Sequence, residues 1–114
     1  MKNKVLAMVL CTAMAAGVLT GCGSSKKEDT YIIGISQFAE HGSLDNCKEG
    51  FLEGLKEAGF EEGKNLTVEY QNSQADTGSA ATIADSFVNK KVDLICAIAT
   101  PSAMSAYNLS LIHI

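Results

Sequence analysis

Within the nine residues QFAEHGSLD, the chain brings together Gln37, Phe38, Glu40, His41 and Asp45, with Ser36 immediately before them. An aromatic face, a carboxylate and an imidazole so close together suit the holding of a small zwitterion, Glu40 being available to an ammonium and Phe38 to an apolar body. Taken singly, each is an ordinary solvated loop residue, and His41 has no second His or Cys nearby to make a metal site. The cluster carries the signal. A second polar group, Thr100-Pro101-Ser102, follows an apolar run. The hydroxyls of Thr100 and Ser102, with free N–H groups at a helix start, form an anion cradle suited to a carboxylate. Thr100 serves equally well as a plain helix cap. No G-x-G-x-x-G, Walker A lysine loop, G-x-S-x-G elbow or paired-Cys motif is present, so nothing points to catalysis or to a cofactor.

The elements that must position these groups read as an alternating series. Tyr31–Ser36 (YIIGIS) is β-rich and apolar without strict alternation, as expected of a strand covered on both faces. Leu44, Cys47, Phe51, Leu55 and Ala58 recur at helical spacing, with Ser43 placed to cap the start and Gly59 to end it in a left-handed conformation. Asn65–Gln71 alternates like a strand nearer a sheet edge, and Asp76 or Thr77 then caps a helix whose inner face is Ala80, Ile83, Ala84, Phe87 and Val88. Val92–Ala99 (VDLICAIA) is the most continuously apolar strand and the expected centre of the sheet. Thr100 is placed as cap of a third helix with Pro101 at its first position. Strands alternating with amphipathic helices imply right-handed crossovers and a parallel sheet, an α/β fold in βαβαβα order. In such sheets ligands bind beyond the carboxyl ends of the strands, which is where Ser36–Asp45 and Thr100–Ser102 fall.

The first thirty residues are of another kind. Lys2 and Lys4 precede a 15-residue apolar run from Val5 to Leu19, the layout of a secretory signal and too short to span a membrane as a helix. Leu19-Thr20-Gly21-Cys22 resembles the lipobox of bacterial lipoproteins, which implies cleavage before Cys22 and acylation of its thiol. Several acyl chains give a stable tether, since each buried CH₂ contributes ~0.8 kcal/mol. Residues 1–21 are then the signal peptide, and residues 22–30, with GSSKKEDT, a polar spacer lifting the domain from the membrane. Removal of 21 of the 114 residues leaves 93, enough for one small core. The mature chain has seven Lys, no Arg and 13 acidic residues, a formal charge of −6, which argues against a nucleic-acid partner. Cys11 leaves with the signal and Cys22 with the lipid. Cys47 and Cys96 then read as small apolar core residues rather than a bridge.

Export signal, lipobox and spacer, followed by the ISQ-F-x-E-H and IATPSA segments, together resemble an ABC transporter substrate-binding lipoprotein, in the group related to tryptophan and tyrosine uptake proteins. The resemblance covers Tyr31 to about Asn108. It implies a type I periplasmic-binding, Rossmann-like doubly wound fold of two hinged lobes, of which residues 31–108 supply an incomplete first lobe. It also implies extracytoplasmic capture of a small organic ligand, an amino acid and within that class an aromatic one, for an ABC permease and ATPase. Carried over by position, Ser36, Gln37, Phe38, Glu40, His41, Thr100 and Ser102 would be the first-lobe ligand contacts.

Residues 109–114, LSLIHI, back-translate to CTG TCT CTT ATA CAC ATC, the transposase adapter of sequencing libraries, and are expected to be adapter read-through. Two other classes stay open: an extracytoplasmic sensor presenting ligand to a receptor, and a lipoprotein enzyme, for which no nucleophile–base arrangement is visible.

Overall fold

The structure is a computed structural model that describes residues 29–112; the signal, the lipobox Cys22 and most of the spacer lie outside the described residues. Its elements are β1 (Tyr31–Gln37), α1 (Gly42–Glu57), β2 (Leu66–Asn72), α2 (Thr77–Asn89), β3 (Leu94–Ile98) and α3 (Thr100–Ile112). The strands form one parallel sheet in the order β2-β1-β3, with Ile33 opposite both Val68 and Leu94. The α/β class and the parallel βαβαβα reading hold.

Side chains alternate across a strand, so the register assigns each residue to a face. Ile33 and Ile35 of β1 lie on one face with Leu66 of β2 and Ile98 of β3, all buried, and Leu44, Phe51, Leu52 and Leu55 of α1 close over them. On the opposite face Gly34 meets α2, whose Ala80, Ile83, Ala84 and Phe87 are buried, and α3 packs on α2 and β3. Gly34 is there because of Phe87: a Cβ at this position would lie 2.7 Å from the ring. The crossover through α1 covers one face and that through α2 the other, which is the doubly wound arrangement.

Local chemistry sets the ends of the helices. α1 ends in a Schellman motif: Gly59 has φ +93°, its N–H donates to Lys56 O, and Phe60 N–H reaches back to Leu55 O. α2 begins at the Asp76 cap, whose carboxylate accepts from Ser79 N–H at 2.6 Å. It ends in a second Schellman motif, with Lys91 at φ +55° and the Lys91 and Val92 N–H groups on Val88 O and Phe87 O.

Four expectations are corrected. Among the described strands β1 is central and β3 is at the edge, with Leu94 half exposed. Apolar content reports how many faces are to be covered, and position within the sheet depends on how the crossovers wind. Cys47 is exposed and only Cys96 is half-buried. The half-buried stripe of α1 is rotated to include Leu52, so Cys47 falls outside it. Both thiols are free, and burial pushes the Cys96 thiol pKa up, with a smaller contribution from the nearby Cys47. The cap of α1 is His41, two residues before Ser43, and that of α3 is Ala99, whose carbonyl accepts from Ala103 N–H at 3.0 Å. Each helix starts earlier than its best hydroxyl cap because the sharp exit from the strand has already turned the chain.

Candidate functional site

Three loops meet at the carboxyl edge of the sheet: Phe38–His41 after β1, Ser73–Asp76 after β2, and Ala99 leading into α3. They are stitched through the peptide groups of Phe38. Phe38 N–H donates to Ile98 O at 3.2 Å, and Phe38 O accepts from Ala75 N–H at 2.7 Å and from the Ser73 hydroxyl at 2.8 Å. Ser73 N–H also donates to Gln37 O. The half-buried aromatic ring of Phe38 therefore stands on a backbone held from both neighbouring strands. Such a support fixes the orientation of the side chain it carries.

The same edge holds three of the four left-handed non-glycine residues among those described: Gln74 (φ 52°), Ala75 (φ 61°) and Ala99 (φ 79°). Each such conformation costs of order 1–3 kcal/mol and persists where the surroundings over-determine it, commonly at ligand sites. A shallow cleft of about 300 Å³ lies between the first two loops, lined by Ala39, Glu40, Gln74 and Ala75.

Unpaired polar atoms give the strongest indication. Ser36 Oγ, Gln37 Oε1 and Ser102 Oγ are buried without a hydrogen-bond partner, and these are the buried side-chain atoms in that condition among the described residues. Buried polar groups are otherwise nearly always paired. All three sit at the ends of β1 and the start of α3, the crevice where the strand order reverses. Ser36, Gln37 and Ser102 are each fully buried. Gln37 Nε2 donates to Ala39 O and Asp45 Oδ1, both at 2.8 Å.

The remaining candidates stand around them. Glu40 and Thr100 are exposed at the rim. Within α3 the Thr100 and Ser102 N–H groups find no protein acceptor among the described residues, and Pro101 between them has none to offer. That is the polarity of an anion cradle. His41 caps α1 with its own ring, Nδ1 accepting from Ser43 N–H at 3.2 Å. One ring nitrogen is thereby occupied, and Nε2 remains for a partner. Among the described residues no group of three His, Cys, Asp or Glu side chains converges to hold a metal.

Sequence reasoning placed two carboxyl-edge loops and missed the third. Ser73, Gln74 and Ala75 belong to the same edge, and the polar run NSQAD after β2 is the signal that could have found them. Asp45 was read as one member of a loop cluster; its pairing with Gln37 spans the entry into α1 and has no signature in spacing.

Two other concavities lie at the amino ends of the strands. One is lined by Leu52, Lys56, Phe60, Glu61, Glu62, Leu66 and Val68, the other by Tyr31, Ile33, Leu55, Phe60, Asp93 and Leu94. Neither contains a buried unpaired polar atom.

Comparison with known proteins places this arrangement in context. Residues 32–110 match the family model described as ABC transporter substrate binding protein. A protein of Clostridioides difficile named tyrosine-binding protein is 40% identical over 118 residues, covering 93% of this chain and 34% of its own length. The chain thus spans about a third of the length of that curated relative. Among solved structures, a ligand-free, open substrate-binding protein with adhesive properties from Clostridium difficile is 43% identical with a TM-score of 0.68, covering 69% of this chain and 27% of the other. An ABC domain from Streptococcus pneumonia in complex with L-Trp is 32% identical with a TM-score of 0.67, covering 70% and 27%.

Proposed function

The chain belongs to the family of ABC transporter substrate-binding proteins, and on that premise we propose that it captures a small amino acid, of the aromatic type, for an ABC importer and hands it to a membrane permease driven by its ATPase. The observation that carries this reading is that the buried, unpaired side-chain atoms among the described residues, on Ser36, Gln37 and Ser102, all lie at the carboxyl edge of the sheet, next to the Phe38 backbone held from both neighbouring strands. In this reading Phe38 packs on the apolar body of the solute and Glu40 faces its ammonium. The α3 start, with Thr100 and Ser102, takes its carboxylate, while Ser36, Gln37 and His41 complete the polar contacts. The relatives named for tyrosine binding and solved with L-Trp support the solute class.

Residues 31–108 would then form the beginning of a first lobe, with closure of a second lobe over the solute exposing a surface for the permease. Cys22 would carry the lipid that keeps the protein at the outer face of the cell membrane, residues 22–30 acting as its leash. Among the described residues no helix is long and apolar enough to cross a membrane. Calorimetric titration of the full-length mature gene product against the amino acids tests the reading. Saturable binding of tyrosine, tryptophan or phenylalanine is expected, and binding of no aromatic or branched amino acid would overturn it.

A further inference from the structure

The two hydrogen bonds of the Gln37 side chain fix which way round its amide stands. Both partners, the Asp45 carboxylate and the Ala39 carbonyl, can only accept, so the NH₂ group must face them and Oε1 must face the other way. Both Nε2 hydrogens are consumed at 2.8 Å. What remains is a carbonyl oxygen, fully buried and without a donor. Ala39 lies two residues along the same loop, whereas Asp45 stands in the first turn of α1. The side chain of Asp45 therefore ties the end of the central strand to the helix across the intervening loop.

We infer that Asp45 is a positioning residue that makes the carboxyl-edge site selective: it locks the Gln37 amide with its buried carbonyl as the waiting acceptor, so the site favours a solute that brings a hydrogen-bond donor to that point. The donor is an ammonium or a hydroxyl of the solute. An amide free to turn would offer NH₂ as readily as C=O and would lose this preference, because a buried polar atom left unpaired is what penalises the wrong solute. This inference rests on the amino-acid reading above and adds the polarity of one contact to it.

The test uses the full-length mature gene product as wild type, Asp45→Asn and Asp45→Leu, titrated with L-tyrosine, L-phenylalanine and 3-(4-hydroxyphenyl)propanoate. The second solute lacks the hydroxyl and the third the ammonium. Wild type is expected to discriminate against one of these two by roughly 10-fold or more, the scale set by one unpaired buried group. Asp45→Asn, whose Oδ1 still accepts from Gln37, keeps that discrimination, and Asp45→Leu loses most of it while binding the poorer solute much as before. In the ligand-free protein, the Gln37 side-chain amide protons are expected to be protected from solvent exchange by NMR, and to lose protection in Asp45→Leu. Equal binding of all three solutes by wild type, or an equal loss for all three in Asp45→Leu, overturns the inference, as do unprotected Gln37 amide protons. Binding of none of the three sinks the amino-acid reading and with it the solute's donor, whereas the locked amide is still decided by the exchange rates alone.

Discussion

Replacing Gly34 with alanine introduces a single methyl group into the middle of the central strand, where there is no room for it. Its Cβ would meet Cδ2, Cγ and Cε2 of Phe87 at 2.7, 2.8 and 2.9 Å, against the 3.4–4 Å of ordinary van der Waals contact. The ring is fully buried between Ala80, Ile83 and Ala84 on its own helix and the sheet, so it cannot swing into solvent. Either α2 lifts by several tenths of an ångström or the ring leaves its rotamer, and overpacking of this kind costs ~1–3 kcal/mol. Against this stands the gain of about 0.5–1 kcal/mol from replacing a flexible glycine inside a regular element. The net expectation is a loss of about 1–2 kcal/mol, read as a lower midpoint in urea unfolding of the full-length gene product followed by circular dichroism. The second arm uses Phe87→Leu, which trims the ring and costs about 1–2 kcal/mol alone. Combined with Gly34→Ala it should restore stability relative to the sum of the single changes by about 1 kcal/mol or more, since the two side chains share one space. A neutral or stabilising Gly34→Ala, or strict additivity with Phe87→Leu, would refute the packing argument.

Three further outcomes are expected. Lys91→Gly should stabilise the protein by about 0.5–1 kcal/mol, because Lys91 sits at φ +55° in the Schellman position after α2 and a glycine takes that conformation without a Cβ penalty; a lower melting temperature would contradict it. The Asp76 carboxyl is held below its ordinary value by hydrogen bonds from the Ser79 side chain and N–H. A lowered folded-state pKa stabilises above the unfolded value and is lost as pH falls through the folded one, so the α2 start should loosen below about pH 4. Amide exchange at Ser79 reports it, and Asp76→Asn should remove the pH dependence while keeping a cap; an unchanged pH profile in that variant would count against the assignment. His41→Ser exchanges one capping residue for another and should leave stability within about 0.5 kcal/mol. A fall in ligand affinity in that variant then measures the imidazole as a ligand contact, and a marked loss of α1 helicity would show that the ring does more than cap.

The elements were legible where one interaction dominates. Of the expected inner face of α2, Ala80, Ile83, Ala84 and Phe87 are buried and Val88 is half-buried at its end, and the Gly59 stop is the left-handed residue expected. That the loops after β1 and β3 share the carboxyl edge of one parallel sheet followed from the alternation of strands and helices alone. What escaped depends on long-range geometry. The order β2-β1-β3 is decided by which face each crossover covers, a quantity with no period in the sequence. His41 takes the cap of α1 through a ring nitrogen, and a ranking by side-chain type puts Ser43 ahead of it. The Gln37–Asp45 bond and the anchoring of Phe38 by Ser73 join residues 8 and 35 positions apart, and only the folded sheet brings the second pair together.

The central place of β1 also has a consequence in time. Of the three described strands β1 is the first to leave the ribosome, yet its neighbour on one side, β3, follows only after β2 and α2. Ile32 N–H waits for the Asp93 carboxylate 61 residues downstream. A nascent chain can pair β1 with β2 early, but Ile33 and Ile35 keep an unpaired flank until β3 arrives. Closure of so long a loop should make docking of β3 the slow step of assembly. Any factor that keeps the young chain from aggregating has its work to do in that interval, on the very strand that ends in the buried Ser36 and Gln37.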